Sequence, residues 1–88
     1  MNYEDYILDH AFDVAYDLGA EIGGCYVGNA GAVRRVVCSY LPDLSHAAQT
    51  LLSRADRIAF WQHVADWYER GVQDASTSAP TLENRSTQ

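Results

Sequence analysis

The chain contains no lysine. Its six basic residues are all Arg, set against twelve Asp and Glu, for a net charge of −6 over 88 residues. Duplex DNA, RNA and anionic membrane surfaces are bound by neutralising phosphates with Lys and Arg. Direct nucleic-acid binding is therefore not expected. Long apolar runs are missing too. None approaches the ~18 residues of a membrane-spanning helix, so no membrane insertion is expected. The opening Met1-Asn2-Tyr3-Glu4-Asp5 is acidic where a signal peptide is basic. Two Cys are too few for a disulfide framework, which fits reduced thiols and a cytoplasmic setting.

Signatures of catalysis are also lacking. The glycine-rich stretch 23–31 holds four of the six Gly, yet it has neither Gly-x-Gly-x-x-Gly nor Gly-Lys-Ser/Thr, and there is no Lys to meet a phosphate. Cys25, Cys38 or Ser39 with His63 and Asp66 would make a nucleophile, base and acid, but no elbow or oxyanion signature accompanies them. Cys25, Cys38, His46 and His63 form a nominal zinc set without the close paired spacing of structural zinc sites. No enzyme activity, cofactor or resident metal is expected.

What the chain does have is a segregated charge. Glu4, Asp5, Asp9, Asp13, Asp17 and Glu21 fall in the first 21 residues with no Arg among them, so this segment carries the whole net charge. The same segment reads as a helix. Tyr3, Ile7, Leu8, Ala11, Val14, Ala15, Leu18 and Ile22 recur at steps of three and four. Asn2 is placed to cap it, and Gly19 or Gly23-Gly24 to end it. Asp5, Asp9, Asp13, Asp17 and Glu21 stand in steps of four and form a slowly winding acidic ridge. Like charges at that spacing oppose the helix by about 0.2–0.5 kcal/mol per pair, and the last acids sit at the negative end of the helix dipole. Local rules broken along a whole face point to function. Tyr6 and Tyr16 project into that face and Phe12 lies at its edge, so aromatic anchors stand among steering charges. The plainer alternative is a solvated face of an acidic protein.

Further on, Val33, Val36, Val37, Tyr40 and Leu41 follow helical spacing, with Asn29 as a cap and Pro42 as a stop. A hairpin over about 24–40 is the alternative, giving an αββαα arrangement. Arg34-Arg35, the only basic doublet, is expected to pair with acids inside the fold or on a second copy, in preference to an anionic ligand. Asp43 or Ser45 caps a helix bearing Leu44, Ala47, Ala48, Leu51 and Leu52. Ser53-Arg54-Ala55-Asp56 resembles a capping box, although one bent helix from 44 to 71 also satisfies the pattern. From 54 to 70, Ile58, Phe60, Trp61, Val64, Ala65, Trp67 and Tyr68 cover about half a helix circumference. Phe60, Trp61 and Trp67 then form either core or a second, self-pairing interface. Gly71 ends that helix. From Gln73 to Gln88 the composition cannot bury enough to order itself.

The sequence therefore predicts an all-α protein: a compact domain, residues 1–72, of four to five short helices, and a disordered tail, 73–88. Its expected role is that of a small protein-binding modulator. Asp5, Tyr6, Asp9, Asp13, Tyr16 and Asp17 would dock on a basic surface of another protein and occlude it. The blocked protein would be a nucleic-acid-binding complex, a regulator or a motor ATPase. Phage-encoded inhibitors often take this form, an analogy of size and charge alone. Two alternatives stand beside it: a structural homodimer through Phe60, Trp61 and Trp67, and a small zinc protein using Cys25 and Cys38.

Overall fold

A computed structural model describes residues 3–87 of the chain, with side chains described for residues 3–76. The elements are α1 (Tyr3–Ile22), a single 3-10 turn (Gly24–Tyr26), α2 (Ala30–Tyr40), α3 (Leu44–Leu51) and α4 (Arg54–Thr87). No strand occurs among the described residues, so the protein is an all-α bundle. The hairpin alternative over 24–40 is not formed. Valine favours strand only where a pleated surface awaits it, and here the stronger local signal is the cap. The Asn29 side chain accepts from the Ala32 N–H at 3.1 Å, and Val33 and Val37, four residues apart, both enter the core.

Most other boundaries also follow local chemistry. α1 ends at Ile22 because Gly23 turns to φ +89°, a conformation that glycine adopts without strain. α2 stops at Tyr40, two residues before Pro42. α3 and α4 are separate helices. Leu52 is extended, and the Ser53 hydroxyl accepts from the Asp56 N–H at 3.2 Å, so the capping sequence does start a helix. Asp43 occupies the cap position of α3 but makes no side-chain cap. Its carboxylate accepts instead from the Tyr3 hydroxyl on α1, at 3.0 Å. The expected cap Asn2 lies outside the described residues.

Two glycines depart from their expected roles. Neither Gly19 nor Gly71 ends a helix: the first lies inside α1 and the second inside α4. They are where the two helices cross. A Cβ on Gly19 would collide with the Tyr68 carbonyl, and a Cβ on Gly71 with the Tyr16 carbonyl. Each helix thus presses its backbone into a gap left by a missing side chain. Of the expected tail, residues 73–87 continue α4, which at 34 residues is longer than the short helices expected; the side chains of residues 77–88 lie outside those described.

The core is one cluster drawn from all four helices. α1 contributes Ile7, Ala11, Ala15 and Leu18, α2 Val33 and Val37, α3 Leu44, Ala47 and Ala48, and α4 Phe60, Val64 and Tyr68. Four alanines on the α1 and α3 stripes let the helices approach, and larger side chains on α4 fill the centre. Ile58, expected on the buried arc, is 66% exposed.

Candidate protein-binding surface

The stripe Ile7, Ala11, Ala15 and Leu18 fixes the roll of α1, and with it the direction of every other side chain on the helix. Asp5, Asp9, Asp13, Asp17 and Glu21 are consequently exposed. Asp9, Asp13 and Asp17 make no hydrogen bond or ion pair among the described residues. The last turn of α1 contains no basic residue to offset its dipole.

The aromatics expected among these acids divide. Tyr6 remains outside, 53% exposed and stacked on His10 with ring centroids 5.4 Å apart. Tyr16 is half-buried and turned toward α4. Its hydroxyl donates to the Asp74 carboxylate, and its ring meets Trp67 edge-on at 6.2 Å. Donation to Asp74 pushes the Tyr16 hydroxyl above its ordinary pKa, and the bond to Asp43 does the same for Tyr3. Phe12 bridges inward, 5.4 Å from Phe60 and 6.5 Å from Trp67.

Phe60, Trp61 and Trp67 take three different environments. Phe60 is core. Trp61 is half-buried, with the Arg34 guanidinium 4.7 Å from its ring. Trp67 is 37% exposed at the seam of α1 and α4, and Arg70 lies 4.7 Å from its ring. Packing covers part of the wide apolar arc of α4, with α1 on one side and α2 on another, and leaves Ile58 and Trp67 exposed.

Trp67 joins the acidic ridge to the aromatic helix. On one side of it, a shallow groove of about 440 Å³ is lined by His10, Asp13, Tyr16, Asp17 and Trp67. On the other side, a groove of about 290 Å³ is lined by His63, Asp66, Trp67 and Arg70. An exposed indole and a phenol edge beside carboxylates suit a side chain with an apolar stem and a cationic head, Arg or Lys.

Other candidate chemistry is dispersed. Cys25 is exposed in the 3-10 turn and Cys38 is half-buried on α2, where burial raises its thiol pKa. His46 lies on α3 against the Thr50 hydroxyl. Among the described residues no three His, Cys, Asp or Glu side chains gather as a metal would require. His63 and Asp66 do share a groove, but neither cysteine nor Ser39 lines it. The Arg34-Arg35 doublet departs from expectation. Both residues are exposed, neither pairs with an acid among the described residues, and Arg34 takes the Trp61 ring in place of a carboxylate.

His10, Trp67 and Asp66 were not readable as neighbours of the ridge. One signal was available: Tyr16-Asp17-Leu18-Gly19 and Tyr68-Glu69-Arg70-Gly71 share the pattern Tyr-acid-x-Gly, and these are the two segments that cross. Compared with protein-family models, characterised proteins and solved structures, the chain matches none.

Proposed function

We propose that this protein is a binding module that docks the α1–α4 seam on a basic surface of another protein and occludes it. The observation that carries the reading is the position of Trp67, shared by two grooves and flanked by Asp13 and Asp17 on one side and Asp66 on the other. A partly exposed Trp, with Arg70 over its ring and beside carboxylates that make no hydrogen bond or ion pair among the described residues, fits an interface anchor. The ridge attracts a basic partner over a distance of about 10 Å at ordinary salt, and the aromatic seam holds it after contact. Asp9, Asp13 and Asp17 supply the steering. Tyr6, Tyr16 and Trp67 supply the contact area.

The test is capture of a partner from lysate at low and high salt by the wild type, by an Asp9, Asp13, Asp17→Lys triple variant and by Trp67→Ala. The expected result is retention by the wild type, salt-sensitive loss with the triple variant, and a roughly thirtyfold or larger weakening with Trp67→Ala, the scale of a central anchor. A partner held equally by all three proteins would overturn the reading.

A further inference from the structure

The molecule has a second polar recess, on a different face from Trp67, lined by Arg34, Ser45, Gln49, Arg57 and Trp61 and enclosing about 270 Å³. Two cations converge there in a protein of net charge −6, and no carboxylate is among the lining residues. Each guanidinium is already held. Arg34 lies over the Trp61 ring at 4.7 Å, which leaves its N–H edge available. Arg57 directs Nη1 to the Leu52 carbonyl at 2.9 Å and the Gln49 carbonyl at 3.5 Å, closing the end of α3. That arrangement uses one of its nitrogens and fixes the others. The Ser45 hydroxyl and the Gln49 carboxamide add donors to the same wall.

We infer that this recess binds the phosphate group of a small phosphomonoester. Two pre-positioned guanidinium groups match a dianion in charge and its oxygens in fork geometry, whereas a carboxylate would neutralise only one of them. The inference is independent of the α1–α4 seam.

The test is NMR of the arginine Nε–Hε and tryptophan indole signals at fixed ionic strength, titrating inorganic phosphate, then glycerol 3-phosphate, then acetate. The expected result is saturable shifts at Arg34, Arg57 and Trp61, a Kd on the order of 1 mM for phosphate, and at least tenfold weaker binding of acetate. Arg34→Gln should weaken phosphate at least tenfold. Arg34→Lys should fall between, and Arg35→Gln, an exposed position that does not line the recess, should bind as the wild type does. Arg34 is exposed, so circular dichroism of Arg34→Gln should match the wild type. Non-saturating shifts, equal response to acetate, or no effect of Arg34→Gln would overturn the inference. Flotation with phosphatidate vesicles in the absence of binding to free phosphate would overturn it in favour of a lipid headgroup. A doubled mass by light scattering, lost in Arg34→Gln and unaccompanied by phosphate binding, would overturn it in favour of a second copy of the chain.

Discussion

A methyl group at Gly19 or Gly71 has nowhere to go, because the carbonyl of Tyr68 or Tyr16 already fills its space. Alanine improves intrinsic helix propensity by about 1 kcal/mol. Forcing two backbones apart costs more, since overpacking of this kind typically removes 1–3 kcal/mol. With the propensity gain subtracted, Gly19→Ala and Gly71→Ala are each expected to lower the stability read from urea unfolding by roughly 1–2 kcal/mol. Gly31→Ala is the opposite case: its Cβ would meet only the Asn29 side chain at 3.6 Å, and stability should rise by about 0.5 kcal/mol. At the same scale, Tyr68 is wholly buried, and its hydroxyl donates to the Gly23 carbonyl. Burial, ahead of its other surroundings, raises its pKa above the ordinary 10.0. A raised acid stays protonated in the folded state after it would ionise in the unfolded one. The stability it contributes is complete below pH 10 and falls as pH climbs through and beyond that value. Tyrosinate absorbance at 295 nm followed beside circular dichroism should show Tyr68 ionising only as helix is lost. Tyr68→Phe should flatten that alkaline decline.

The separation of one helix from the next rests on short-range chemistry, and for that reason it was largely legible in the sequence. Asn29 and Ser53 each sit three residues before the N–H they accept, so a window of four residues contains the whole interaction. Asn29→Ala and Ser53→Ala are each expected to cost about 1 kcal/mol in thermal or urea unfolding. Asp43→Ala should cost about half of that or less, because Asp43 caps nothing and loses only an exposed bond to Tyr3. The centres of the core stripes of α1, α2 and α3 were legible by the same logic of period, whereas Tyr3, Ile22, Tyr40 and Leu51, which the period also assigns to them, lie at helix ends and are exposed. What could not be read was which face meets which. Gly71 carries the residue signature of a helix end, and only the presence of α1 against it makes the glycine a site of close approach. Ile58 fits the apolar arc by spacing, yet no neighbouring helix reaches it. Trp67 belongs by sequence with Trp61, and by packing with Phe12 and Tyr16. The candidate site lies on a seam between the first and last helices, so pattern within either helix could supply half of it and no more.

For the molecule as a whole, the concentration of charge on α1 sets stability against binding. Asp9, Asp13 and Asp17 repel one another, and Asp17 faces the unfavourable end of its own helix dipole. Replacing all three by Asn should therefore raise stability by roughly 0.5–1 kcal/mol, seen as a higher Tm at low salt, while weakening capture of a basic partner. In about 1 M salt the Tm difference should nearly vanish, because screening acts within about 3 Å there. A variant that gains stability and keeps its partner would separate the ridge from binding. The crossing of α1 and α4 has a bearing on time as well as on shape. Gly19 meets a backbone that lies at the far side of α2 and α3 in the chain. Until Tyr68 and Val72 have been synthesised and have left the ribosome, Gly19 lacks the backbone it closes on, and the stripe of Ile7, Ala11 and Leu18 has only α2 and α3 to pack against. Helical proteins that rely on neighbours in sequence assemble as they emerge; one clasped first to last must wait and then fold in a single act. During that interval the like charge of the acidic ridge opposes association of one α1 with another.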